Sequence, residues 1–293
     1  MTYALPTTIE EALALRAAGP NVVLAGGTDV YPASVGTPLH ENVIDISRVA
    51  DLAAIECLPK YWRIGALVTW SDLLNSELPN AFEGLKLAAR EVGSIQIQNA
   101  ATIVGNICNA SPAADGIPPL LALEAQLEVC STVGQRNIPV SEFVRGNRET
   151  ALEPTEIVTA IVVPRVNETA RSTFIKLGAR KYLVISIAMI AANVGLDSNG
   201  RIELARIAVG SCAAKATRLP SLEAALVGMR NEDITLENLS NPDFFDCLSP
   251  IDDIRSSKIY RLHAAAVLTA RAIKSCMGAG EQDPASPATS GSD

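Results

Sequence analysis

The chain has 293 residues, a formal charge of -8, 48% hydrophobic residues and 19% charged residues, with a mean hydropathy of +0.22. No basic block longer than Arg180-Lys181 occurs, which argues against a nucleic-acid footprint, and the longest apolar run, from Tyr182, is too short for a membrane span. Six scattered cysteines without a CxxC, and two histidines (His40 and His263), argue against a zinc or iron–sulfur site built by this chain alone. The low charge content is explained either by an alanine-rich, well-buried α/β chain or by surface covered by partner subunits. The N-terminus lacks a basic segment followed by an apolar core, so a cytoplasmic location is expected.

Thr7, with Glu10 three residues on and a glycine at the end, predicts a capped helix over 7–19. NVVLAGG is a short buried strand entering a glycine turn, and 41–49 is a second strand. A strand around Arg63-Ile64-Gly65-Ala66 leads to Thr69, an N-cap with Asp72 at the third helical position. Residues 79–92 form a helix, 120–131 change from helix to strand, and 136–144 form a connector with a short helix. Strands follow at 157–164 and 174–180, then a hairpin over 186–211 turning at Asp-Ser-Asn-Gly, and amphipathic helices including 256–277. This gives units of 1–56, 57–170 and 171–280, and a polar tail, 281–293, expected to be mobile.

Two segments stand out for chemistry: LAGGTDV (24–30) and TIVGNICNASPAAD (102–115). Each is an ordinary tight turn or an anion-binding nest, in which glycines let successive backbone N–H groups converge without a lysine. Neither fits GxGxxG or GxxxxGK[ST]. Two such turns on separate units suit a long, bent ligand with two phosphates in its middle, and flavin adenine dinucleotide is one.

AGGTD (25–29), QNAATIVGNICNASPAADGIPPLLALEA (98–125), EIVTAIVVP (156–164), FIKLGARK (174–181) and DIRSSKIYR (253–261) occur in order along the chain. In these it resembles the flavin-binding medium subunits of the molybdenum hydroxylases, the group of xanthine dehydrogenase, aerobic carbon monoxide dehydrogenase and nicotine dehydrogenase. The resemblance covers about 3–277 and departs at two places. Gln98-Asn99 stands for the family's Arg-Asn, and Val104-Gly105 for its Gly-Gly; valine is tolerated at 104 if φ stays negative.

The resemblance implies an α+β protein. A two-subdomain FAD-binding fold of the PCMH/vanillyl-alcohol-oxidase type precedes a C-terminal α+β domain. Leu24, Ala25, Gly26, Gly27, Thr28, Asp29 and Val30 match the turn that wraps the pyrophosphate. Thr102, Val104, Gly105, Asn106, Ser111, Ala114 and Asp115 match the second cofactor segment, with Asp115 expected at the adenosine ribose. Val158 falls at an apolar flavin or adenine contact. Lys176 falls beside the isoalloxazine, where a cation favours reduced, anionic flavin.

FAD is expected to be non-covalent, since neither histidine lies in a cofactor segment, and no catalytic residue or metal ligand is expected here. Molybdopterin and [2Fe–2S] centres would reside in a large and a small partner subunit, assembled as a dimer of heterotrimers, with electrons passing through FAD to an external acceptor. Two rival readings stay open. A stand-alone flavin oxidoreductase of the wider fold needs convergent catalytic groups, which the C-terminal third lacks; a flavin-free structural subunit is favoured by Val104 alone.

Overall fold

The computed structural model describes residues 2–36 and 42–278. His40 and the tail at 281–293 lie outside the described residues.

Near the N-terminus, strands Tyr3–Ala4, Asn42–Asp45 and Asn21–Leu24 form a parallel sheet with Asn42–Asp45 in the middle. Helix Ile9–Ala17 buries Ala12 and Leu13. Its N-cap is Thr8, one residue later than the sequence suggests. Thr8 accepts a hydrogen bond from the Glu11 amide, while the Glu11 carboxylate accepts from the Thr7 amide at 2.8 Å. The cap is therefore an eight–eleven pair, and Glu10 plays no part in it.

A five-stranded antiparallel sheet follows, ordered Ile55–Cys57, Tyr61–Gly65, Ile157–Pro164, Gln126–Ser131, Gly134–Pro139. Ile157–Pro164 is paired on both edges, every residue before Pro164 is buried, and all of these but Ala160 are β-branched. The connector expected from residue 136 is partly a strand. Arg136, Asn137 and Ile138 pair with Val129, Glu128 and Leu127, and the short helix begins at Val140. A run of polar residues concealed this edge strand, since four of its six positions are exposed. Thr69 caps Trp70–Asn75 with a capping box to Asp72, as the spacing predicts.

The last sheet is antiparallel: Arg171–Leu177, Ala188–Leu196, Ile202–Gly210, Thr217–Arg218. Helix Lys258–Cys276 covers it, and helices Glu83–Glu91 and Ile117–Ala122 also pack on its strands. Cover on both sides explains why AMIAANVG is buried throughout, Asn193 included. The hairpin turn is fixed by Asp197 Oδ1, which accepts from the Asn199 and Arg201 amides, and by Gly200 at φ +74°.

Candidate functional site

Where the three sheets approach one another, a cavity of about 820 Å³ opens. That lies within the roughly 300–1,000 Å³ usual for small-molecule sites. Of the sixteen residues singled out from the sequence, Leu24 alone does not line it; its side chain is 3% exposed and packs inward.

The first wall is the turn after Asn21–Leu24. Gly27 has φ +72°, the left-handed region that glycine enters freely. A Cβ there would come 2.5 Å from the Tyr31 ring. The amides of Gly27, Thr28 and Asp29 donate no hydrogen bond within the described residues. Three consecutive free donors on a cavity wall are what an anion cradle requires. Gly26 is required for another reason: its Cβ would sit 1.8 Å from the Ala100 carbonyl oxygen, so the two backbones touch.

The second wall differs from its reading as a turn. Thr102 N-caps helix Ile103–Asn109, its hydroxyl accepting from the Gly105 amide at 3.0 Å. The turn comes afterwards, at Ala110 with φ +48°. Val104 is therefore helical with negative φ, which removes the backbone objection to a valine at that position. Asn106 Oδ1 and Trp70 Nε1 are buried without hydrogen-bond partners, and both residues line the cavity. An unmet buried group costs about 1–3 kcal/mol, which a polar ligand or ordered water offsets.

The third wall is the ion pair of Lys176 Nζ with Asp115 Oδ2, 2.7 Å apart with side chains 6% and 9% exposed. Ser186 donates to the other Asp115 oxygen at 2.7 Å. Burial raises the Asp115 pKa, and the lysine charge and both hydrogen bonds oppose it. Asp115, expected at the adenosine ribose, and Lys176, expected at the isoalloxazine, thus stand side by side on one wall of the cavity.

Arg16, Trp70 and the segment Leu183-Val184-Ile185 also line the cavity and were not identified from the sequence. Cys108 is there too, its thiol pushed up to about 12 by burial and so kept protonated. His263 is exposed on the last helix and does not line the cavity. Among the described residues no group of three or more His, Cys, Asp and Glu could hold a metal ion, and no helix is long and apolar enough to cross a membrane.

The free amides, the orphaned polar atoms and the cavity's size fit a dinucleotide such as FAD: donors for a pyrophosphate, hydrogen-bonding groups beyond them, and apolar walls including Val22, Val23 and Val158.

Comparison with known proteins points the same way. A family model described as the FAD binding domain in molybdopterin dehydrogenase matches residues 1–166, and one described as the CO dehydrogenase flavoprotein C-terminal domain matches residues 173–276. The chain is 31% identical over 283 residues to a putative xanthine dehydrogenase FAD-binding subunit of Escherichia coli K12, covering 95% of this chain and 96% of that protein. It is 31% identical over 266 residues to the nicotinate dehydrogenase FAD-subunit of Eubacterium barkeri, covering 87% and 89%. A solved carbon monoxide dehydrogenase chain from Hydrogenophaga pseudoflava has a TM-score of 0.85 at 28% identity, covering 95% of this chain and 97% of that one.

Proposed function

Because the chain belongs to the family of FAD-binding subunits of the molybdopterin dehydrogenases, we propose that it is the medium subunit of a three-subunit molybdenum hydroxylase, carrying electrons from its partners to an external acceptor. The fold is the two-domain α+β FAD-binding fold of the PCMH/vanillyl-alcohol-oxidase type, and the family supports an oxidoreductase role. One observation carries the cofactor assignment: a turn after a strand and a capped helix far from it in the chain, each rich in glycine or small polar residues, close on one cavity with three unspent amides on its wall.

In this reading the Gly27, Thr28 and Asp29 amides and the Thr28 hydroxyl hold the pyrophosphate. Asn106 and the Thr102-capped helix bind beside it. Lys176, paired with Asp115, stands at the flavin end, where the pair fixes the ammonium group beside the ring. FAD supplies the exchange of electrons between two-electron and one-electron partners. The protein's own contribution is to orient the ring system, exclude water around it, and present one end to the outside. Binding is non-covalent in this reading, and among the described residues the one histidine, His263, lies away from the cavity.

The proposed partners are a small subunit with [2Fe–2S] centres and a large one with molybdopterin, arranged as a dimer of heterotrimers in the cytoplasm. Substrate chemistry belongs to the large subunit, so this chain carries no catalytic residue. Flavin content of the chain purified with its partners tests the reading. About one FAD per chain, released intact by denaturation, is the expected result. A folded, partner-bound chain without flavin overturns it, as does substrate oxidation by the isolated chain at the rate of the complex.

A further inference from the structure

Arg16 reaches the cavity from the last turn of helix Ile9–Ala17. Its Nη1 donates to the Asn21 carbonyl at 2.6 Å and to Asn21 Oδ1 at 2.8 Å, and its Nε donates to the Glu156 carbonyl at 3.2 Å. Nη2 makes no hydrogen bond among the described residues, and no carboxylate pairs with the guanidinium. Burial accordingly holds its pKa below the usual arginine value.

Neighbouring polar groups at this end are already occupied. The Asn21 amide donates to Leu15 and Gly19 carbonyls, and the Glu156 carboxylate is held by Arg136 and the Glu153 amide. Arg16 therefore offers a directed donor to a ligand among apolar residues, Val22, Val23, Leu152, Ile157 and Val158.

Two observations orient the ligand. Leu183 and Ile185, just before the Ser186 that bonds Asp115, are 56% and 52% exposed while lining the cavity, so that end communicates with the exterior. A ring system that exchanges electrons with partners belongs there. The Arg16 end lies at the start of strand Asn21–Leu24, about 10 Å from the glycine turn at ~3.3 Å per residue. That is about the reach of a nucleoside from its phosphate.

Resting on the FAD reading above, we infer that Arg16 is a specificity-determining residue for the adenosine half of the cofactor, its Nη2 donating to an acceptor on the purine or ribose. A guanidinium anchored through two of its nitrogens holds the third in a fixed direction. The site thereby distinguishes a flavin dinucleotide from a flavin mononucleotide, which leaves this end unfilled.

The test measures FAD and FMN dissociation constants of the full-length, flavin-stripped chain by fluorescence titration, for the wild type, Arg16→Met and Arg16→Lys. Loss of one charge-assisted hydrogen bond should weaken FAD binding by roughly tenfold or more in Arg16→Met and leave FMN within about twofold. Arg16→Lys, with its charge but no fork, should fall between. Circular dichroism checks the fold; if Arg16→Met does not fold, Arg16→Lys decides by the same FAD-to-FMN ratio. Unchanged FAD affinity, or an equal loss for both flavins, overturns the inference alone. A folded wild type that binds neither flavin overturns the FAD reading and this inference together.

Discussion

Lys176 Nζ meets Asp115 Oδ2 at 2.7 Å across the junction between the second and third sheets, with both side chains almost fully buried. Asp115 follows the Ile103–Asn109 helix, whereas Lys176 lies on strand Arg171–Leu177, so the pair joins two parts of the protein as well as lining the cavity.

Removing one partner should cost far more than removing both. In Lys176→Met the Asp115 carboxylate loses its counter-charge while keeping the burial that raises its pKa. A destabilisation of about 3–5 kcal/mol is expected near neutral pH. The sign follows from the raised pKa: the folded chain binds a proton that the unfolded chain has released. Stability should therefore fall as pH rises from the ordinary aspartate range through the folded value, at up to about 1.4 kcal/mol per pH unit. Adding Asp115→Asn should recover much of the loss and flatten that slope. Urea unfolding over a pH series reads both effects, and a single variant as stable as the double would contradict them.

Gly27→Val should yield a folded but largely colourless protein. Valine opposes φ +72°, and its Cβ meets the Tyr31 ring, which is 53% exposed and free to move aside. Losing two charge-assisted hydrogen bonds of about 1.5–3 kcal/mol each would weaken flavin binding by some two to four orders of magnitude. Flavin per chain, measured with circular dichroism, checks this. Full occupancy in a well-folded variant would rule out the turn as the anion cradle.

Its neighbour should behave differently. In Gly26→Ala the added methyl meets the Ala100 carbonyl oxygen at 1.8 Å, and backbone cannot swing aside as a tyrosine can. Loss of stability by about 3 kcal/mol or more is expected, with flavin lost as a consequence of unfolding. A Gly26→Ala protein melting at the wild-type temperature would show that the two segments separate freely.

Glu156 gives the opposite pH sign. The Arg136 guanidinium holds its carboxylate below the usual glutamate range, helped by the Glu153 amide. Its stabilisation is full above the ordinary glutamate pKa and is lost as pH falls through the lower folded value. Glu156→Gln should therefore cost about 1 kcal/mol at neutral pH, since Arg136 is half exposed, and converge on the wild type in acid. Thermal melts at neutral and acid pH compare the two proteins, and a constant gap would exclude this pair as the source.

Local sequence signals marked the features that depend on neighbours in the chain. Thr69 and Asp72 announced their capping box, and the Asp-Ser-Asn-Gly turn announced the hairpin. Thr102 is a subtler case: small polar residues suggested a turn, but the same hydroxyl that favours turns caps a helix. Arg16 was hidden because two of its three acceptors are backbone carbonyl oxygens, which carry no residue-type signal, and one of these belongs to the distant Glu156. Ser186 was hidden likewise, since its bond to Asp115 exists only after the third sheet has docked.

The walls of this cavity are far apart along the chain: Gly27 belongs to its first tenth, whereas Lys176 and Ser186 lie beyond its midpoint. During synthesis the early glycine turn leaves the ribosome well before the strand that supplies the lysine. Until that strand emerges and pairs, Asp115 has neither the lysine nor the serine that hold its carboxylate. A nascent chain stopped before Lys176 possesses both small-residue segments and lacks a finished pocket. Completion of the pocket thus waits for the third sheet, and a ligand that needs every wall is held only once that sheet has formed.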